Sequence, residues 1–315
     1  MDNVKIFACN SAEKLTKEIC DCLYLPVSQK DSFKFANDNN FVQFKESIRG
    51  KSVYIIQTTE VPVNERVMEL LITIEAAKRA SPDKITVVLP YFMYSRSDKK
   101  DQPRVPVTAK LMAKLIEAAG ADRVITCDLH NSAIQAYFEI GCDRLTATYI
   151  IADYFRKKNI IDPVVVATDA GSSKRAYKYS KILNCPIALI DKRRSNNDDN
   201  AVASSIIGDV EGKTALIFDD EISTGGTLIE AINICHRNGA KEIYAGATHG
   251  IFVKKAIELI RDCPVKEVVV TNTVPLDDNK KIDKITVLSI APLFAEAICR
   301  IEKKEPLGNL FLYEK

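Results

Sequence analysis

The chain has 315 residues, 46% of them hydrophobic and 27% charged, with a formal net charge of +2. That length favours two domains, and the composition is that of a globular chain able to bury real cores. The near-neutral balance excludes a broadly basic nucleic-acid-binding face, and no apolar run is long enough for a membrane span.

Nine cysteines are scattered along the chain, and Cys20 and Cys22 stand one residue apart rather than the two of a zinc or redox motif. An odd number in apolar surroundings predicts free thiols in a reduced, cytoplasmic protein. Met1 to Lys5 leads straight into a strand-like run with no apolar leader after it, so no secretory signal is expected.

In chain order, short apolar runs rich in β-branched residues predict strands at 5–9, 52–57, 84–89, 123–127, 164–168, 187–191, 214–218, 242–248, 268–271 and 285–288. Several are apolar at both parities, as strands buried on both faces are. Amphipathic stretches between them predict helices at 64–80, 107–119, 147–157, 226–238 and 252–261. Strand–helix alternation means α/β with mostly parallel sheets flanked by helices. The rhythm restarts after about residue 145, which predicts domains at 1–145 and 146–302 with a tail at 303–315. The polar, aperiodic stretch 192–202 predicts a long mobile loop.

One segment carries most of the chemistry. The apolar strand at 214–218 runs into Asp219-Asp220-Glu221-Ile222-Ser223-Thr224-Gly225-Gly226-Thr227, after which a helix begins. Small residues and hydroxyls let backbone N–H groups converge on a phosphate, and the helix N-terminus adds positive potential. The acidic pair cannot hold phosphate; it suits the hydroxyls of an attached sugar, or a metal. The segment is neither a Gly-Lys-Ser/Thr phosphate loop nor a dinucleotide fingerprint. It resembles the phosphoribosyl-diphosphate loop of the type I phosphoribosyltransferase fold.

Further stretches narrow the resemblance: EVPVNERVMELLITIEAAKRA at 60–80, LPYFMYSRSDKK at 89–100, residues 104–114, CDLHNSAIQ at 127–135 and DKRR at 191–194. With the loop, they make the chain similar over nearly its whole length to the ribose-phosphate diphosphokinase family. The resemblance implies two similar phosphoribosyltransferase-like domains and transfer of the β,γ-diphosphate of ATP to C1 of ribose 5-phosphate. It implies that Asp219 and Asp220 bind the ribose hydroxyls, while Ser223, Thr224, Gly225, Gly226 and Thr227 cradle the 5-phosphate. Arg96, with Ser97, Lys99, Asp101 and Arg104, would bind the ATP phosphates. His130 and Asp169, each just past a strand, would ligate Mg2+. Lys192 and Arg194 match the family's catalytic cations. A homo-oligomer, dimers assembling to a hexamer, is implied too, with neither nucleic acid nor membrane as partner.

The chain departs from the family at several points. The adenine-side motif F-S-D-G-E falls on Phe35-Ala36-Asn37-Asp38-Asn39, a loop that in the family reaches a neighbouring subunit's site. Phe35 keeps a stacking ring, but Asn37 and Asn39 replace two acids by amides, which donate as well as accept. Relaxed base choice is expected. Ser97 replaces a glutamine, Ser223 an aspartate, and Gly225-Gly226 an Ala-Gly pair. Pro306 and Gly308 stand where regulated members carry two serines, although Arg49, Gln135 and Asp143 match other parts of that regulatory site; weakened ADP and phosphate control is expected. Two rival readings remain at this point. One is a phosphoribosyltransferase, which leaves Arg96, His130 and 192–194 unexplained. The other is a catalytically silent partner of an active synthase, which the two amides suggest.

Overall fold

The structure, a computed structural model, describes residues 1, 3–194 and 202–310. The chain forms two compact units: Met1–Thr146 with Thr273–Pro275 and the chain from Ser289 onward, and Ala147–Asn272 with Leu276–Leu288.

In the first unit the elements are β1 (Val4–Ala8), α1 (Glu13–Leu23), β2 (Lys30–Lys34), β3 (Asn40–Phe44), β4 (Ser52–Ile56), α2 (Val63–Arg79), β5 (Lys84–Leu89), α3 (Thr108–Ala119), β6 (Arg123–Cys127) and β7 (Gly141–Leu145). Five strands form a parallel sheet in the order β1-β4-β5-β6-β7, and β2 and β3 form a separate antiparallel hairpin. Val53, Ile55, Val87 and Leu89 of the sheet pack with Leu70 and Ile74 of α2 and with Met112 and Ile116 of α3. Burial of each such side chain contributes about 1.5–3 kcal/mol.

The second unit contains α4 (Thr148–Lys157), β8 (Pro163–Ala167), α5 (Ser173–Leu183), β9 (Ile187–Arg194), β10 (Val202–Ile207), β11 (Thr214–Ile222), α6 (Gly226–Arg237), β12 (Glu242–Gly250), α7 (Ala256–Asp262), β13 (Glu267–Thr271) and β14 (Ile285–Leu288). Its sheet runs β10-β9-β8-β11-β12-β13-β14, parallel throughout except for β10. In this sheet β11 is central and is covered on one side by Leu228, Ala231, Ile232 and Cys235 of α6. All ten expected strands are present, and the α/β class with helix-flanked parallel sheets holds. All nine cysteines are free.

Four differences from the sequence expectation have physical causes. The hairpin β2–β3 has no apolar run; it is held by its ladder and by Phe33, Phe35 and Phe41, whose ring centroids lie 4.8–5.6 Å apart. The stretch at 192–202 is not wholly a loop: β9 extends to Arg194, with Arg194 opposite Val202 and Lys192 opposite Ser204 in the β9–β10 ladder. Backbone pairing there needs no apolar side chains; residues 195–201 lie outside the described ones. The helix expected at 252–261 begins only at Ala256, because Phe252 and Lys254 have φ of 46° and 56°. Finally, α8 (Ala291–Glu302), expected in the second domain, packs on α1 of the first unit. Its apolar face, with Phe294 and Ile298, is buried, and Tyr54 donates to Glu302 Oε1 at 2.7 Å.

Candidate active site

The acidic pair lies within β11, two residues before its end. Phe218, one residue earlier, stacks on Tyr179 of α5 with centroids 3.7 Å apart and rings 5° from parallel. Arg175 lies one helical turn before Tyr179, on the same face of α5. This places its guanidinium over the pair: Nη1 bonds to Asp219 Oδ1, and Nη2 to Asp220 Oδ1 at 2.6 Å. The backbone N–H of Asp220 also donates to Asp219 Oδ1 at 2.9 Å. Burial pushes the Asp219 carboxyl up to about 7, with Arg175 opposing the shift and the neighbouring Asp220 adding to it.

Beyond the pair, Ser223 closes the strand and its carbonyl accepts from Val253 N at 3.0 Å. Gly225 has φ of 80°, a left-handed conformation that side chains resist, and it precedes α6 without any side-chain cap. The first-turn N–H groups of α6, from Gly226 and Thr227 onward, have no intrahelical partners. Thr224, Gly226 and Thr227 are exposed. The arrangement is an uncapped, glycine-built helix N-terminus that follows two carboxylates along the chain.

Most of the other candidate residues lie in loops that follow strands. In the first unit, Arg96 and Ser97 lie in the segment between β5 and α3, with Arg96, Lys99, Asp101 and Arg104 exposed. His130 is exposed just past β6, the neighbour of β5 in the sheet. The two loops are tied together by Asp98, which is 4% exposed. Its Oδ2 accepts from Asn131 Nδ2 at 2.6 Å, its carbonyl accepts from the Tyr137 hydroxyl, and Asn131 in turn caps the following turn through Ala133 N at 3.0 Å. Phe35, Asn37 and Asn39 form the tip of the β2–β3 hairpin, closed by Phe35 N to Asn39 O at 2.9 Å, and Phe35 is 49% exposed. The hairpin is pinned to α2 by a Lys30–Glu69 ion pair at 3.6 Å whose two side chains are each 5% exposed, and by Lys34–Glu65 at 2.8 Å.

In the second unit Asp169 follows β8 and is exposed; its Oδ1 caps a short turn by accepting from Ser172 N at 2.8 Å. Lys192 and Arg194 lie on β9.

Residues 4–120 match the N-terminal domain of ribose phosphate pyrophosphokinase, and residues 200–312 match the phosphoribosyl synthetase-associated domain. The chain is 49% identical over 311 residues to the ribose-phosphate pyrophosphokinase of Caldanaerobacter subterraneus subsp. tengcongensis, covering 98% of each. It is 45% identical over 309 residues to that of Bacillus subtilis, covering 98% of this chain and 97% of the relative. The chain belongs to the ribose-phosphate pyrophosphokinase family. A crystal structure of phosphoribosylpyrophosphate synthetase from Mycobacterium smegmatis superposes with a TM-score of 0.90 at 37% identity, covering 96% of this chain and 99% of that one.

Two residues of this family member carry no motif in the sequence. Arg175 belongs to a basic, amphipathic stretch, and nothing in its spacing points to the acids it bridges. Asp98 lies within a run of charged residues that reads as a solvated loop, yet it is buried.

The raised Asp219 carboxyl has a testable consequence. A group whose folded pKa exceeds its unfolded value adds stability that is complete below the unfolded pKa and is lost as pH rises through the folded one. Stability should therefore fall between the ordinary carboxyl range and about 7. Asp219→Asn, neutral at every pH, is expected to melt above the wild type at pH 7.5 and to lose that margin toward pH 4. Melting curves across this range check it; a margin that grows on acidification would contradict the assignment.

Proposed function

We propose that the chain catalyses transfer of the β,γ-diphosphate of ATP to the C1 hydroxyl of ribose 5-phosphate, giving 5-phosphoribosyl 1-diphosphate and AMP. The observation that carries this reading is the paired carboxylates near the end of β11, before a short loop and an uncapped, glycine-built helix N-terminus. That pairing suits a sugar that carries a phosphate. The C1 oxygen bonds to the β-phosphorus as the bond bridging the α- and β-phosphates breaks; AMP leaves and the hydroxyl proton is released to solvent.

Asp219 and Asp220 accept hydrogen bonds from the ribose hydroxyls, and Ser223, Thr224, Gly225, Gly226 and Thr227 hold the 5-phosphate. Arg96, with Ser97, Lys99, Asp101 and Arg104, binds the nucleotide phosphates. Phe35 offers a ring to the base, flanked by Asn37 and Asn39. Lys192 and Arg194 neutralise charge that develops during transfer. Such a reaction asks the protein for alignment and electrostatic stabilisation more than for covalent chemistry.

Magnesium fits the donor set. No three His, Cys, Asp or Glu among the described residues cluster into a self-sufficient metal site. Magnesium needs none, since it keeps several waters and takes substrate phosphate oxygens alongside one or two protein ligands. His130 and Asp169 are the donors proposed for it. When bound, it would screen the charge of the triphosphate.

The protein is proposed to work in the cytoplasm as a homo-oligomer built from dimers, with ATP and ribose 5-phosphate as its small-molecule partners. No described helix is long and apolar enough to cross a membrane. With Pro306 and Gly308 in place of two hydroxyls, ADP is expected to inhibit only by competing with ATP. Release of AMP, GMP or CMP from ATP, GTP or CTP in parallel tests the reading of Asn37 and Asn39: GTP or CTP should support a measurable fraction of the ATP rate. Strict dependence on ATP would contradict relaxed base choice.

A further inference from the structure

Arg175 takes no part in the reaction as outlined above, yet its guanidinium bonds to both acids assigned to the sugar. Each Nη meets a different carboxylate, through Asp219 Oδ1 and Asp220 Oδ1, while the Arg175, Asp219 and Asp220 side chains are 28%, 28% and 8% exposed. Two adjacent carboxylates this enclosed repel one another, and burial alone drives such a pair to share a proton. A planar guanidinium is the side chain suited to bridging them, because its donors form a rigid fork. The Tyr179–Phe218 stack fixes where the fork sits, since it locks α5 against β11 one turn from Arg175. Each carboxylate has two oxygens and several lone pairs, so an acid bonded to guanidinium through one oxygen remains an acceptor.

We propose that Arg175 is a positioning residue of the sugar site: it holds the Asp219 and Asp220 carboxyl groups side by side and offsets their mutual repulsion, so that the pair accepts hydrogen bonds from the neighbouring hydroxyls of a ribose phosphate. This rests on the assignment of the acidic pair to those hydroxyls. The role differs from phosphate binding, which belongs to the backbone of 223–227.

The test is calorimetric titration of the full chain with ribose 5-phosphate, and with methyl phosphate as a phosphate ester lacking the sugar, from pH 6 to 8.5. Arg175→Ala is expected to weaken ribose 5-phosphate binding about 10- to 100-fold at neutral pH, the cost of leaving enclosed charges without their partner. Methyl phosphate should bind the variant and the wild type alike. The sugar-phosphate deficit should shrink as pH rises and the bare pair ionises, and added guanidinium ion should restore part of the affinity. Arg175→Lys should recover less than guanidinium does, because an ammonium is a point charge without the fork. Equal ribose 5-phosphate affinity in Arg175→Ala and wild type overturns the role of Arg175 alone. Equal losses of both ligands, with no guanidinium rescue and no pH dependence, overturn it in favour of a structural role. A wild type that binds methyl phosphate but gains nothing from the sugar overturns the assignment of the acidic pair, and this role with it.

Discussion

Replacing Lys192 with alanine is expected to lower the ribose-5-phosphate-dependent rate of AMP formation by roughly 10²–10³, while the affinity for ribose 5-phosphate stays near that of the wild type. Diphosphate transfer builds negative charge on the oxygen that leaves with AMP, and a preorganised cation stabilises the transition state more than the bound substrate. Lys192 extends β9, with its backbone opposite Ser204 in the ladder, so the strand gives it a defined starting point. The sugar is proposed to be held elsewhere, at the C-terminal part of β11 and the start of α6. The variant should therefore lose turnover and keep binding. A loss confined to sugar affinity, with turnover intact, would place Lys192 in substrate binding and contradict the assignment.

The second large effect lies in the support of the β2–β3 hairpin, whose tip is proposed to meet the nucleotide base. Glu69 of α2 collects Lys30 Nζ at 3.6 Å, Asn10 N at 2.9 Å, Ser32 Oγ at 3.2 Å and Gln57 Nε2 at 3.2 Å. Both partners of the ion pair are 5% exposed, so removing one strands the other charge away from water. Glu69→Ala is expected to destabilise the protein by about 3–5 kcal/mol. Adding Lys30→Met should return much of that loss, because the double change removes both charges and keeps most of the volume. Denaturant unfolding of the four proteins measures the cycle. A single-variant loss below about 1 kcal/mol, typical of exposed pairs, would contradict the account. The pair also ties β2 to α2, so a surviving Glu69→Gln protein should show a raised KM for ATP before any loss of kcat.

The core strands and the strand–loop–helix segment proposed for the sugar were legible as structure because their signals are local. The strand at 214–218 is apolar at both parities, and the Asp219–Thr227 segment carries its chemistry in consecutive residues. Long-range features were not. The 30–44 hairpin has no apolar run, and its stability comes from cross-strand pairing, a ring cluster and a buried ion pair to a helix more than 20 residues away. Arg175 reaches acids 44 and 45 residues distant, and only the packing of α5 on β11 brings them together. The extension of β9 through Lys192-Arg193-Arg194 is set by its β10 partner, not by hydrophobic pattern. The return of α8 to the first unit depends on contacts with α1 and Tyr54 that no window of sequence displays.

The most direct test of the central claim is to incubate the purified protein with Mg-ATP and ribose 5-phosphate and to follow AMP and phosphoribosyl diphosphate by chromatography. The account predicts equal amounts of the two products, formed only when both substrates are present. No AMP, in a protein that still binds ribose 5-phosphate, would contradict it.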